Sequence, residues 1–149
     1  PGPGIAPLSL HQITLPGFEP RGAIRAELTT AIGPLRVIGA HLGLRRRDRV
    51  RQISALAHIL DDLPAAPTLL AGDLNEWGTI SILQHALPQL RFLDTPRTYP
   101  APRPLGRLDR FAVSHQLSAT TPRAHTAQPA RVASDHLPVL VDLSVVDHA

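Results

Sequence analysis

Residues 67–75 read Pro67-Thr68-Leu69-Leu70-Ala71-Gly72-Asp73-Leu74-Asn75. A short apolar run of this kind, bounded by proline and glycine, predicts a central strand that is buried on both faces. The run ends in the carboxylate of Asp73, and the carboxamide of Asn75 follows two residues later. Because side chains alternate along an extended segment, we expect Asp73 and Asn75 to lie on the same side and reach the same ligand.

Polar side chains lie at the ends of three further apolar runs. His41 lies near the end of an apolar run upstream of Asp73. Asp109 begins an apolar run downstream of it, and Asp135 and His136 precede the last candidate strand. Asp109 and His136 suit a carboxylate–imidazole pair, in which the carboxylate fixes the tautomer and direction of the ring. Asp135 then points elsewhere and is available to a metal ion.

These residue types fit the cleavage of a phosphate ester. The reaction needs a nucleophilic water, an in-line approach and positive charge facing the phosphoryl oxygens, and Mg²⁺ supplies that charge while taking oxygen ligands. Asp73 can orient or deprotonate the water, while the Asn75 amide and His41 can donate to phosphate oxygens. A strand-end Asp by itself is usually a turn former or a helix cap, so the ordered set carries the hypothesis. The remaining histidines are interpreted as surface or packing residues: His11, His58, His85, His115, His125 and His148.

The hydrophobic periodicity predicts an α/β or α+β sandwich with a mixed sheet and one main helix. The first three strand candidates form an antiparallel meander, and an apolar stripe that includes Val50 and Ile53 predicts the helix. The predicted strands are residues 11–15, 23–28, 35–42, 67–71, 108–113, 117–124 and 137–146, the predicted helices are 47–63 and 80–87, and 93–104 is a proline-rich loop.

Composition excludes several classes of protein. A chain of 149 residues is long enough for one domain with a sizeable core, and it has no cysteine, which excludes disulfides and thiolate metal sites. No apolar run reaches the roughly 18 residues of a membrane-spanning helix. A net charge of +3 and an aromatic content of 3% argue against a dedicated nucleic-acid-binding module. The chain lacks methionine and begins Pro-Gly-Pro-Gly, so we expect it to be part of a longer protein.

All basic residues are arginine, and the densest group is Arg45, Arg46 and Arg47, shortly after His41. Two interpretations remain open. The group is either a solvated helix face, or a cluster that meets the phosphate of an anionic substrate.

The ordered polar set resembles the endonuclease/exonuclease/phosphatase superfamily, which includes deoxyribonucleases, sphingomyelinases and inositol polyphosphate phosphatases. The matching motifs are His41-Leu42, Gly72-Asp73-Leu74-Asn75, Leu108-Asp109-Arg110-Phe111 and Ser134-Asp135-His136-Leu137-Pro138. The segment 41–44 with Gln52 looks most like the bacterial sphingomyelinase-like branch.

The resemblance implies the C-terminal part of a four-layer αββα deoxyribonuclease-I-like fold, with the active site at one end of the sheets and Mg²⁺ or Mn²⁺ as cofactor. It implies that Asp73 orients the attacking water, that Asn75 holds the phosphate and that Asp109 pairs with His136. His41 would contact the phosphate. The implied metal ligands are Asp73, Asn75 and Asp135.

One departure from the family pattern concerns the metal. Family domains usually have roughly 250 residues, within the range of single domains, and their N-terminal part supplies an Asn and a Gln-Glu metal-ligand motif. Glu19 and Glu27 do not fit that motif, because one lies in a predicted turn and the other lacks a preceding Gln. We therefore expect residues 1–149 to be a domain of this superfamily that lacks its N-terminal part.

The motifs and the missing metal ligand leave two possible functions open. The first is metal-dependent hydrolysis of a phosphodiester or phosphomonoester, with a small phosphodiester or a phospholipid head group favoured over duplex DNA as substrate. The alternative is a truncated, non-catalytic remnant that binds anions or a protein partner.

Overall fold

A mixed sheet of six strands organises the protein. In the computed structural model, which describes residues 4–147, its strands lie in the order β1-β2-β3-β4-β6-β5. The strands are β1 (Ala6–Leu15), β2 (Arg21–Thr30), β3 (Gly33–His41), β4 (Thr68–Asp73), β5 (Arg91–Phe92), β6 (Asp109–Val113), β7 (Leu117–Ala119), β8 (Arg123–Ala124), β9 (Val139–Leu140) and β10 (Leu143–Val145), and the helices are α1 (Arg46–Asp62), α2 (Ile80–Ala86) and α3 (Gln128–Ala133).

The topology confirms the predicted mixed sheet. Strands β1, β2 and β3 form the expected antiparallel meander. Strand β4 then runs parallel to β3, and α1 makes the crossover between them. Strand β6 pairs antiparallel with β4, so the start of β6 meets the ends of β3 and β4 at one edge. Strands β7 and β10 form a second small sheet, and β8 and β9 form a third.

The main core lies between α1 and one face of the sheet. Ile53 and Leu56 of α1 are buried against Ile38 of β3 and Leu70 of β4. Burying a side chain of this size contributes about 1.5–3 kcal/mol, so this contact is a principal source of stability. The prediction that Val50 belongs to the apolar stripe is wrong, because Val50 is 60% exposed in the first turns of the helix.

Strand β4 differs from the prediction on its second face. Leu70 is buried, but Leu69 and Ala71 are only half-buried, so the strand is not buried on both faces. The side chains on this second face belong to a smaller cluster around Val113 and Leu117. Among the described residues, that cluster covers one end of the face, and the end near Ala71 borders a cavity.

Several element boundaries also differ from the prediction. Residues 137–146 form two short strands rather than one, because β9 pairs with β8 while β10 pairs with β7. The predicted strand 117–124 is divided in the same way, into β7 and β8. Strand β1 starts five residues earlier than predicted, at Ala6, and β5 and α3 were not predicted. The predicted surface residue His148 lies outside the described residues.

Within residues 4–147, no helix is both long and apolar enough to cross a bilayer.

Candidate active site

Three chemically active side chains meet at one edge of the sheet because their strands are in register there. His41 at the end of β3 is the register partner of Asp73 at the end of β4. Asp73 is in turn the partner of Asp109 at the start of β6. Register partners on adjacent strands point to the same face, so the sheet itself brings these three side chains together.

The close approach of β3 and β4 at this edge depends on Gly72. Its φ of +149° is disfavoured for other residues, and a Cβ at this position would lie 1.8 Å from the backbone oxygen of Ala40. Only glycine therefore fits directly before Asp73.

Asn75 reaches the site by a turn and not by an extended segment. Its backbone N–H donates to Asp73 Oδ1 at 2.9 Å, and its φ of +50° is left-handed. The expectation that alternation along an extended segment aligns Asp73 with Asn75 is therefore wrong. Both residues still line the same pocket, because the Asp73 carboxylate closes a tight turn that brings the Asn75 side chain back towards it.

The Asn75 amide has a structural partner. Its Nδ2 donates to the buried carbonyl oxygen of Leu42 at 2.7 Å, and the residue is only 6% exposed. This bond ties the loop after β4 to the end of β3. One of the two amide N–H groups remains for a ligand.

His136 is positioned by the loop that follows α3. Ser134 Oγ accepts the backbone N–H of His136 at 3.1 Å, and the N–H of Leu137 donates to the Thr98 carbonyl at 3.0 Å. The imidazole Nδ1 lies 2.7 Å from Asp109 Oδ2, an oxygen that also accepts the Thr98 hydroxyl. The structure therefore brings Asp109 and His136 together as the sequence predicts.

Two imidazoles face the same carboxylate oxygen. His41 Nε2 lies 3.4 Å and His136 Nε2 lies 3.5 Å from Asp73 Oδ2. One ligand atom from each of Asp73, Asp109 and His136 falls within 4.8 Å of the others, which is close enough to surround a metal ion. The pocket they line has a volume of about 570 Å³.

The electrostatics of the pocket favour a charged His136. Partial burial of the ring opposes the charged form, but the hydrogen bond to Asp109 and the negative charges of Asp109, Asp73 and Asp135 outweigh it. Together they hold the pKa of His136 above its usual value. When the ring is protonated, its Nε2–H faces the pocket as a donor to an anion.

Polar residues of α1 fix the loops beside the pocket. Gln52 is fully buried, accepts the N–H of Gly43 at 2.8 Å and donates to the Pro16 carbonyl at 3.0 Å. Asp48 Oδ2 accepts the N–H of Phe18 at 3.2 Å. These bonds hold the entry to β2 and the exit from β3, which carry Arg21 and His41.

The structure places the other sequence candidates differently. Asp135 lines the pocket but is exposed, and it is not one of the three residues whose ligand atoms converge. Arg45, Arg46 and Arg47 are exposed and lie outside the pocket lining, and the Arg45 guanidinium stacks 4.5 Å from the centre of the Phe18 ring.

Sequence reasoning missed three residues that line the pocket: Arg21, Trp77 and Tyr99. The Tyr99 ring lies 4.9 Å from the His136 ring and 6.1 Å, edge to face, from the Trp77 ring. Trp77 is the sole tryptophan and follows Asn75 by two residues, which was an available signal. Arg21 carried no signal, because arginine is abundant along the chain.

The fold is a mixed α/β sheet with carboxylates and imidazoles gathered at one edge. The model of the Endonuclease/Exonuclease/phosphatase family matches residues 5–136, and the chain belongs to this family. The family predicted from the motifs is thereby confirmed.

Similar proteins agree with this assignment. The chain is 32% identical over 145 residues to the uncharacterized protein YbhP of Escherichia coli, and the match covers 89% of the chain and 56% of YbhP. The chain thus spans about half the length of the curated relatives that it matches. Among solved structures, an endonuclease/exonuclease/phosphatase family protein from Bacteroides thetaiotaomicron superposes with a TM-score of 0.80 at 15% identity, covering 96% of this chain and 67% of that one.

A mannosyl-6-phosphatase from the same organism superposes with a TM-score of 0.77 at 17% identity, covering 94% of this chain and 67% of that one. These structural likenesses confirm the predicted deoxyribonuclease-I-like fold class.

Proposed function

We propose that this chain carries the catalytic residues of a metal-dependent phosphoric ester hydrolase. The observation that carries the proposal is the convergence of His41 Nε2 and His136 Nε2 on one oxygen of Asp73, with Asp109 holding the opposite nitrogen of His136. Family membership supports a hydrolase that acts on phosphate esters.

Each side chain has a proposed task at a stated atom. Asp73 accepts a hydrogen bond from the attacking water and orients it. His136, held by Asp109 and in its protonated form, donates from Nε2 to a phosphoryl oxygen, as does His41 Nε2. The free N–H of the Asn75 amide donates to a non-bridging oxygen, while its other N–H keeps the loop in place.

The donor chemistry of the pocket fits a hard divalent cation, Mg²⁺ or Mn²⁺. Carboxylate oxygens of Asp73 and Asp109 converge there, and Asp135 lines the same pocket. Asp73 and Asp135, with the Asn75 carbonyl, would hold the ion, whereas Asp109 is already engaged by Thr98 and His136. A bound cation would supply positive charge facing the phosphoryl oxygens.

We also propose that an upstream segment completes the domain and adds a glutamate ligand for the metal. Two observations support this: the chain spans 56% of the length of YbhP, and the second face of β4 is only half-buried. On this proposal the 149-residue chain alone is a weak catalyst.

The proposed substrate is a small phosphodiester or a phospholipid head group. The pocket lining contains one arginine, Arg21, and the chain carries a net charge of +3. A duplex-binding surface instead tracks many phosphates, and its affinity falls steeply with salt.

The test is hydrolysis of bis(p-nitrophenyl) phosphate and p-nitrophenyl phosphate, with Mg²⁺ or Mn²⁺, by this chain and by a version extended upstream. We expect the extended protein to be the faster enzyme. Asp73→Asn and His136→Gln should each lower its kcat by about 10²- to 10⁴-fold.

The matched control is His58→Gln, because His58 is exposed on α1 and outside the pocket. Equal losses in the His58 and His136 variants would contradict the site assignment. Equal, robust turnover by the short and extended proteins would contradict the proposal that this chain lacks a metal ligand. The extended protein should also be compared on plasmid DNA and on sphingomyelin. Faster cleavage of plasmid DNA, with a rate that falls steeply as salt is added, would contradict the proposal of a small substrate.

A further inference from the structure

A second cavity lies on the other side of Trp77 from the candidate active site. It has a volume of about 520 Å³, and its lining includes Trp77, Arg97, Arg107 and Arg110. Trp77 also lines the candidate active site, so the indole is a shared wall between the two spaces. Three arginines around one cavity are a strong concentration of positive charge.

Arg110 is the least expected of the three. It follows Asp109 in β6, so alternation directs its side chain to the opposite face of the sheet from the candidate catalytic residues. The residue is only 5% exposed, and its Nε–H has no hydrogen-bond partner. The negative charges of Glu76 and Asp94 act on the Arg110 guanidinium, but neither accepts its Nε–H, so that buried donor is available to a ligand in the cavity.

The neighbouring charges leave the cavity positive. Arg107 lies 3.3 Å from Asp94 and donates to the Thr95 carbonyl at 3.0 Å, while Arg97 is exposed. The lining therefore contains three guanidinium groups and one carboxylate. Burial and then the charge of Arg107 lower the pKa of Arg110, and the charges of Glu76 and Asp94 offset this only in part, so Arg107 and Arg110 still repel each other. An anion between them would relieve that repulsion.

Trp77 is held in place as the wall between the two cavities. Its ring lies against Gly106, where an added Cβ would approach Cζ3 to 2.7 Å. The side chain is nevertheless 61% exposed. It thus presents a flat apolar surface beside both openings, on which the organic part of a ligand can rest.

We propose that the cavity lined by Arg97, Arg107 and Arg110 is an anion subsite that binds a phosphate group. Guanidinium groups bind phosphate oxygens bidentately. The apolar surface of Trp77 beside them strengthens these charged hydrogen bonds. The next step rests on the proposed function: the bound group is a second phosphate of the substrate, joined to the scissile ester by a segment that crosses Trp77. The substrate class is then a compound with two phosphate groups rather than a simple monoester.

Binding can be tested without catalysis or metal. The probe is inorganic phosphate or pyrophosphate, titrated in the presence of a chelator at constant ionic strength, and the readout is fluorescence of Trp77, the sole tryptophan. We expect a saturable change in wild type. The double variant Arg97→Gln/Arg107→Gln should bind at least about tenfold more weakly, because it loses charged donors.

Two variants serve as matched controls. Arg103→Gln removes an exposed arginine of the same loop that lines neither cavity. His136→Gln weakens an anion site in the candidate active pocket instead. Arg103→Gln should titrate like wild type, whereas His136→Gln should lose only the part of the signal that comes from the active pocket and keep the arginine-dependent saturable change. If circular dichroism shows that the double variant is unfolded, Arg97→Gln alone replaces it, and a weakening of at least about threefold is then expected.

The subsite is overturned if the arginine variants titrate like wild type, if His136→Gln removes the signal, or if wild type gives no saturable change. Failure of the proposed function is a separate result: without any hydrolysis, an arginine-dependent phosphate signal still supports the subsite. With hydrolysis intact and no such signal, the subsite alone is refuted.

Discussion

Replacing Asn75 tests whether this residue supports the structure as well as the ligand. In Asn75→Ala the buried Leu42 carbonyl loses its donor at 2.7 Å, which costs about 1–3 kcal/mol. Alanine must also adopt the left-handed backbone at φ +50°, at a cost of about 1–2 kcal/mol that asparagine largely avoids. We expect these losses together to lower the free energy of unfolding by about 2–5 kcal/mol.

Asn75→Gly separates the two contributions. Glycine adopts the left-handed backbone without strain but also loses the hydrogen bond, and its freedom in the unfolded chain offsets part of the gain. It should therefore be more stable than Asn75→Ala by about 0.5–1 kcal/mol. The assay is urea unfolding followed by circular dichroism, in a chelator so that metal binding does not contribute.

An alanine variant within about 0.5 kcal/mol of wild type, the range of neutral surface substitutions, would refute the reasoning. So would a glycine variant less stable than the alanine variant. The result also bears on kinetics, because any loss of kcat in Asn75→Ala must first be corrected for the folded fraction before it is attributed to phosphate binding.

Three further outcomes are expected. Gly72→Ala should lower the free energy of unfolding by about 3 kcal/mol or more, from strain and overpacking, whereas Gly39→Ala in β3, where a Cβ meets nothing within 4 Å, should be close to neutral in the same urea assay. Because the pKa of His136 is raised in the folded state, its charged form stabilises the metal-free protein below the unfolded pKa of about 6.5, and that contribution is lost as pH rises through the folded pKa. Asp109→Asn should lower the His136 pKa and flatten this pH dependence, as measured by NMR titration of the ring; an unchanged titration would contradict the pairing. Gln52→Leu should destabilise by about 2–4 kcal/mol, since the buried Gly43 N–H and the partly buried Pro16 carbonyl both lose their partner, and a change in melting temperature below about 2 °C would exclude that role.

The polar residues at strand ends could be predicted from the sequence, because hydrophobic periodicity indicates where the strands begin and end. Asp109 and His136 were paired on residue type alone, and the structure places them 2.7 Å apart. The mixed sheet was predictable for the same reason: a meander followed by a helix and a buried run leaves few ways to bury the apolar faces.

The other features of the site and the sheet could not be predicted, because they depend on local turn geometry and on which strands pair in the folded protein. Asn75 follows Asp73 in a turn closed by the Asp73 carboxylate, and the alternation rule does not extend past the end of a strand. Residues 137–146 keep their alternating pattern, but they divide between two partner strands, which no local pattern records. Arg21 could not be distinguished from the other arginines, since only its position at the start of β2 brings it to the pocket.

The candidate site is held together by bonds within the chain, which constrains what an upstream segment can add. Asp109 is fixed by Thr98 and His136, and Asn75 is fixed by the Leu42 carbonyl. None of these contacts needs further protein, so this arrangement of side chains can form in this chain alone. The pocket has few carboxylates for a cation: Asp109 is engaged by Thr98 and His136, which leaves Asp73 and the exposed Asp135. The contribution of an upstream segment should therefore be metal affinity and cover for the half-buried face of β4, rather than the arrangement of the histidines.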